Sequence, residues 1–104
     1  MNTVSRLLCL LPLLASGAMA DTYPKRTLIA GSMVCFKAGD WRDMVEASLD
    51  QDGDAATRLV DSGKCRVVSN ATKVSFIEPD SDGRSALIQL PSGKTAMTAI
   101  GWLR

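Results

Sequence analysis

Two cysteines thirty positions apart, Cys35 and Cys65, place the strongest limit on the fold of this chain. A small exported domain is stabilised by a covalent cross-link because its hydrophobic core is small. Disulfides also persist in oxidising compartments. Redox catalysis would normally require the two cysteines in a C-x-x-C hairpin with a tuned thiolate, which this spacing does not provide. The pair therefore predicts one structural disulfide, provided that the chain leaves the cytoplasm.

The N-terminus carries the pattern of a cleavable export signal. A single arginine precedes the apolar run 7–14, and small residues lead to an A-x-A cleavage site, Ala18 and Ala20, followed by Asp21. This order is typical of a secretory signal peptide. The run is shorter than the roughly 20 residues that cross a hydrocarbon core, which argues against a membrane anchor. We expect the first twenty residues to be a signal peptide, and 21–104 to be one periplasmic or secreted domain without a membrane span.

Removal of that signal changes the charge and the cysteine count. Arg6 and Cys9 are lost with it, so the mature chain keeps two cysteines and becomes formally neutral, with 11 basic and 11 acidic residues. A neutral domain is a poor candidate for binding nucleic acid or an anionic membrane. The charge is nevertheless divided, because 40–61 contains seven acidic residues and two arginines, whereas 64–104 contains six basic and three acidic ones.

The acidic segment has the periodicity of two short helices. Apolar residues at helical spacing predict a first helix over 41–49, with Asp40 as its N-cap. Asp54 can cap a second helix over 55–61, and Gly63 can end it in the left-handed conformation. The inward face of the first helix would contain Trp41, Met44, Val45, Ser48 and Leu49, and that of the second Ala56, Leu59 and Val60.

The remaining segments read as strands separated by turns. Segment 21–26 is polar and contains Pro24, so we expect a loose leader, followed by a strand over 33–36. Four later strands are predicted over 65–68, 73–78, 84–90 and 94–100. The pattern predicts a mainly β (α+β) fold, a small antiparallel barrel of about five strands with a two-helix insertion after the first strand.

The C-terminal half also resembles a known family. Segments 59–63, 74–78 and 88–94, together with the terminal Gly101-Trp102-Leu103, resemble a bacterial Src-homology-3-like barrel over 59–104. The resemblance implies a barrel fold. Thr95-Ala96-Met97 stands where the family usually carries a Gly-Trp pair, so the resemblance lends little to a cell-wall-binding role.

The residue types exclude several chemistries. The sequence contains no histidine, which removes Ser-His-Asp and Cys-His arrangements and the commonest general base. Asp50, Asp52 and Asp54 occupy positions 1, 3 and 5 of a possible calcium loop, but Ala55 stands where the loop requires glycine. Carboxylate pairs drawn from Asp40, Asp43, Glu46 or Glu78 are more often solubilising than catalytic. We therefore expect no enzyme activity, metal or cofactor.

Two functional hypotheses rank ahead of an enzyme at the sequence level. The first is a non-enzymatic exported module that binds another protein or an envelope component, with Trp102 as a candidate anchor. Core packing is the default expectation for both Trp41 and Trp102, and an exposed aromatic contact is the alternative. The second hypothesis is an inhibitor or immunity protein for a secreted hydrolase, with Asp50, Asp52 and Asp54 facing a basic enzyme.

Overall fold

A computed structural model describes residues 23–104. The expected export signal and its cleavage site (Ala18, Ala20 and Asp21) lie outside the described residues. Within the described residues, six strands, two helices and a terminal 3-10 turn follow in chain order: β1 (Lys25–Leu28), β2 (Met33–Cys35), α1 (Ala38–Leu49), α2 (Gly53–Asp61), β3 (Cys65–Val67), β4 (Thr72–Pro79), β5 (Ser85–Gln89), β6 (Thr95–Ala99) and the turn Ile100–Trp102.

The strands form one antiparallel sheet that curls into a half-barrel. Their order is β1-β4-β5-β6-β2-β3, so β1 and β3 lie at the two ends. Leu28 of β1 pairs with Thr72 on one side and bridges to Leu103 on the other. Two backbone hydrogen bonds of 2.9 and 2.8 Å join Thr27 and Arg104 in both directions. The chain's C-terminal residues therefore pair with β1 on the side away from β4.

The mainly β architecture with a two-helix insertion is confirmed, but the strand count is six rather than about five. The prediction of a loose leader over 21–26 was wrong for its last two residues, because Lys25 and Arg26 pair with Ser75 and Val74 of β4. The insertion therefore follows the second strand and not the first. β1 was not predicted because it is stabilised by pairing with β4, and its polar residues give the sequence no alternating pattern.

Both predicted helix caps were displaced by about one turn or less. α1 begins at Ala38 with Lys37 as N-cap, so Asp40 lies inside the first turn rather than before it. The N-cap of α2 is Asp52, whose side chain accepts a hydrogen bond from the Ala55 N–H at 3.1 Å. A capping carboxylate bonds the N–H two or three residues after it, which Asp52 satisfies. Gly63 follows α2 with a φ of 78°, which confirms its left-handed conformation.

The predicted inward face of α1 was only partly right. Trp41 and Met44 are buried, and Ala47 is the third buried residue of the helix. Val45 and Leu49, predicted to face inward, are 36% and 78% exposed. The face is rotated because α2 packs beside α1 near the small Ala47, which leaves the opposite flank of α1 uncovered.

The sheet has a hydrophobic cluster on each face. One fills the curl of the half-barrel, and the other lies between the sheet and the helices. The predicted disulfide is confirmed at the centre of the second cluster, where Cys35 of β2 pairs directly with Cys65 of β3. Both cysteines are almost completely buried. The half-buried Ala56, Leu59 and Val60 of α2 pack on this cluster, as predicted, and the half-buried Trp102 contacts both clusters.

Candidate functional site

An apolar groove runs along the uncovered flank of α1. We use this name for the recess of about 420 Å³ between α1, the start of β2 and the C-terminal turn. Its apolar lining includes Met33, Trp41, Val45, Leu49, Ala99 and Trp102. Leu49 is the most exposed of the large hydrophobic residues that the structure describes. Isolated surface aliphatic residues are ordinary, but here Val45 and Leu49 lie together in one recess beside two tryptophans.

The floor of the apolar groove is a pair of tryptophans. The rings of Trp41 and Trp102 meet edge to face, with centroids 6.3 Å apart and planes at 84°. This geometry is favoured because the positive edge of one ring meets the negative face of the other. They are also the only two tryptophans in the sequence. The sequence-level default of core packing holds for Trp41, whereas Trp102 is shared between the core and this groove.

A hydrogen-bond chain holds Trp41 in place. Its indole Nε1–H donates to the hydroxyl of buried Ser85 at 2.9 Å. The carboxylate of Asp82 accepts from the backbone N–H groups of Arg84 and Ser85 at 2.9 and 3.1 Å. The backbone N–H of Arg84 is the main reason why the pKa of Asp82 lies below its ordinary value of 3.8. Asp82 thus anchors the β4–β5 turn on which the position of Trp41 depends.

A second recess continues from the apolar groove around Trp41. We call it the turn recess, because its charged lining comes from Arg42 of α1 and from Asp80 and Asp82 of the β4–β5 turn. Trp41 and Val45 line both recesses. The two recesses are therefore adjacent on the surface.

The predicted acidic residues lie on the other flank of α1. Asp50 and Asp52 line a groove between the two helices with Asp43 and Glu46, which we call the interhelical groove. Arg58 and Lys64 line it as well, so its carboxylates face some positive charge.

The sequence-predicted binding residues therefore do not form one site. Asp54 lies in the first turn of α2, outside the lining of the interhelical groove, and Trp102 lies across α1 from it. The segment considered as a calcium loop is largely helical, since α2 covers Gly53–Asp61. Within residues 23–104, no group of three or more potential metal ligands comes together.

A basic and aromatic patch lies near the end of β2 and the start of β6, whereas the apolar groove lies at the start of β2 and the end of β6. The guanidinium of Arg66 and the ammonium of Lys94 are 5.8 and 5.5 Å from the ring centroid of Phe36. Such distances are within the range of cation–π contacts. The patch agrees with the divided charge seen in the sequence, because most basic residues lie in 64–104 and most acidic residues in the segment 40–61 that contains the helices.

The chain was compared with protein-family models, with curated proteins and with solved structures, and none of the three comparisons found a match. Among residues 23–104, no helix combines the length and the hydrophobicity that crossing a membrane requires. The function must therefore be inferred from the residues of the grooves themselves.

Sequence reasoning missed the apolar groove. It identified Trp102 as a candidate anchor, but it assigned Val45 and Leu49 to the core and gave no role to Met33. The available signal was the width of the apolar stripe predicted over 41–49, which is larger than packing beside one short neighbouring helix requires. Only the position of α2 shows which half of that stripe remains exposed.

Proposed function

We propose that the protein is an exported, non-enzymatic module that binds another protein through the apolar groove. The observation that carries this proposal is the exposure of Leu49 and Val45 beside the paired rings of Trp41 and Trp102. Burial of one such aliphatic side chain stabilises a complex by about 1.5–3 kcal/mol before the entropic costs of association. Tryptophan is also enriched among the residues that dominate binding energy at interfaces.

Hydrogen bonds and the disulfide hold the walls of the groove in place. This favours a binding role, because fewer side chains must become ordered when a partner binds. Trp41 is held by Ser85, and Met33 at the opposite wall is fixed through its carbonyl, which accepts a 2.9 Å hydrogen bond from the Thr98 hydroxyl. The Cys35–Cys65 bond lies beneath α1 in the same cluster. A preorganised surface loses less conformational entropy on binding than a mobile one.

A matched pair of surface variants tests the proposal. Leu49→Ser removes an exposed groove residue, and Val67→Ser removes an exposed residue of β3 that is 46% exposed and lies outside the groove. Immobilised wild-type protein and Val67→Ser should retain the same partner protein from an envelope extract, and Leu49→Ser should lose it. Equal retention by all three proteins would contradict the proposal. Retention of purified cell-wall polymer instead of a protein would favour the envelope-binding form of the hypothesis.

The export step and the barrel family are part of the same proposal. The charged start, apolar run and small residues before Asp21 support cleavage of a signal peptide and a periplasmic or secreted location. N-terminal sequencing of the exported protein should begin at Asp21, and a product that retains Met1 would contradict it.

The curled sheet and the return of Leu103 to β1 support a Src-homology-3-like barrel, which an experimental structure would test.

The interhelical groove favours a second candidate function, inhibition of a basic secreted hydrolase. Four carboxylates line this groove, and complementary charge accelerates association with a basic partner. The double variant Glu46→Lys and Asp50→Lys reverses two of these four charges and tests it, with Asp52 left intact because it caps α2. An inhibition constant that is unchanged for basic hydrolases in this variant would exclude the acidic surface as the inhibitory one.

A further inference from the structure

We propose that the partner segment of the apolar groove is cationic as well as apolar. An apolar side chain would pack against Leu49 and Trp102, and a neighbouring lysine or arginine would lie in the turn recess beside Asp80. This inference rests on the proposed function and adds the chemistry of the partner to it.

The continuity of the two recesses is the first reason. Trp41 and Val45 line both the apolar groove and the turn recess. An apolar contact and a charged contact are therefore available to one short stretch of chain. Linear segments that bind in grooves commonly combine apolar anchors at regular spacing with charged neighbours.

Charge complementarity is the second reason. Two carboxylates, Asp80 and Asp82, and one basic side chain, Arg42, line the turn recess, so its rim carries a net negative charge. Backbone hydrogen bonds orient both carboxylates, since Asp80 accepts from the Ser81 N–H at 2.9 Å and Asp82 from the Arg84 N–H at 2.9 Å. The rim is therefore negative and preorganised, which favours an approaching cation.

Arg42 provides a further test of the inference, because its positively charged side chain lines the turn recess together with these carboxylates. Its charge opposes the binding of a partner cation. Loss of that charge in Arg42→Gln should therefore strengthen binding, whereas loss of a carboxylate in Asp80→Asn should weaken it. Opposite signs from neighbouring positions are a result that a general loss of folding cannot produce.

Three synthetic peptides of equal length provide the test: one of leucine and lysine, one of leucine and glutamate, and one of serine and lysine. Tryptophan emission reports occupancy directly, because both tryptophans of the chain line the apolar groove. We expect the leucine–lysine peptide to bind at least about tenfold more tightly than the leucine–glutamate peptide. The serine–lysine peptide should leave the emission unchanged.

The variants and the salt dependence complete the test with the leucine–lysine peptide. Asp80→Asn should weaken binding by about two- to fivefold, as expected for an exposed ion pair. Arg42→Gln should strengthen it, Leu49→Ser should abolish the emission change, and Val67→Ser should leave it unaltered. Raising the salt from about 0.01 M to about 0.1 M shortens the Debye length from about 30 Å to about 10 Å and should weaken binding.

Any other outcome contradicts either the cationic partner or the use of the apolar groove. Equal affinity for the leucine–lysine and leucine–glutamate peptides would overturn the cationic partner and leave the proposed function standing. Equal binding of the serine–lysine peptide, or no binding of any peptide, would also overturn this inference. Tight binding that Leu49→Ser does not alter would overturn the use of the apolar groove, and with it the proposed function.

Discussion

Reduction of the Cys35–Cys65 bond should destabilise the described domain by about 3.6 kcal/mol at 25 °C. The bond spans thirty positions of sequence, and constraining a loop of this length in the unfolded chain corresponds to about 12 cal/mol/K. Both cysteines are buried between the sheet and the helices. Reduction therefore raises the conformational entropy of the unfolded chain. It also weakens the attachment of α1 and α2 to the sheet in the folded protein.

The expected loss is large compared with the stability of so small a domain. The described 82 residues correspond to a free energy of unfolding of about 4–12 kcal/mol. With an unfolding entropy of about 170 cal/mol/K for this length, a loss of 3.6 kcal/mol lowers the melting temperature by about 20 °C. If the stability of the oxidised protein lies at the lower end of that range, the reduced protein is partly unfolded at physiological temperature.

Urea denaturation of the oxidised and the reduced protein, monitored by tryptophan emission, measures this difference. The two samples have the same sequence, so each serves as the control of the other. The free energy of unfolding should fall more steeply with urea concentration for the reduced protein, because its unfolded chain is less compact and exposes more surface. A loss below about 1 kcal/mol would refute the reasoning that the closed loop stabilises this fold.

Three further predictions concern the residues that hold the fold and the groove. Trp41→Phe removes the donor to buried Ser85 and should lower the free energy of unfolding by about 1–3 kcal/mol, measured by urea denaturation. Leu103→Ala truncates the buried residue that bridges to β1 and should cost about 2–5 kcal/mol, with selective loss of amide-exchange protection in β1. Asp82→Asn should flatten the acid limb of the stability-versus-pH curve. The pKa of Asp82 is lower in the folded protein than its ordinary value of 3.8, so its contribution is present above that value and disappears as the pH falls through the lower folded value. An unchanged acid limb in this variant would contradict its role in anchoring the turn.

Most elements of the sheet could be predicted from the sequence because their signals are local. β4 and β5 alternate apolar and polar residues between clear turn residues, and the observed strands lie within two residues of the predicted ones. The disulfide followed from spacing and from the expected compartment. Neither inference required knowledge of which strand lies beside which.

β1 could not be predicted because its stability comes from partners distant in sequence. The segment contains two consecutive basic residues, Lys25 and Arg26, and only Leu28 is buried. Its backbone is paired with β4 on one side and with the C-terminal residues on the other. A four-residue strand with one inward residue has no recognisable period, so only the assembled sheet reveals it.

The error in the helix face is the most informative one. Helical spacing correctly placed Trp41, Met44, Val45 and Leu49 on one side of α1, but it could not say how much of that side the rest of the molecule covers. The sheet and α2 cover one half, which buries Met44 and Ala47, and Leu49 is left exposed at the end of the helix. A sequence that is otherwise consistent with its fold departs from that consistency mainly where function requires it. The same residues that contradict the core prediction line the apolar groove, and this coincidence is the reason to expect a partner there and not at the interhelical groove, whose charged residues an exposed surface would carry in any case.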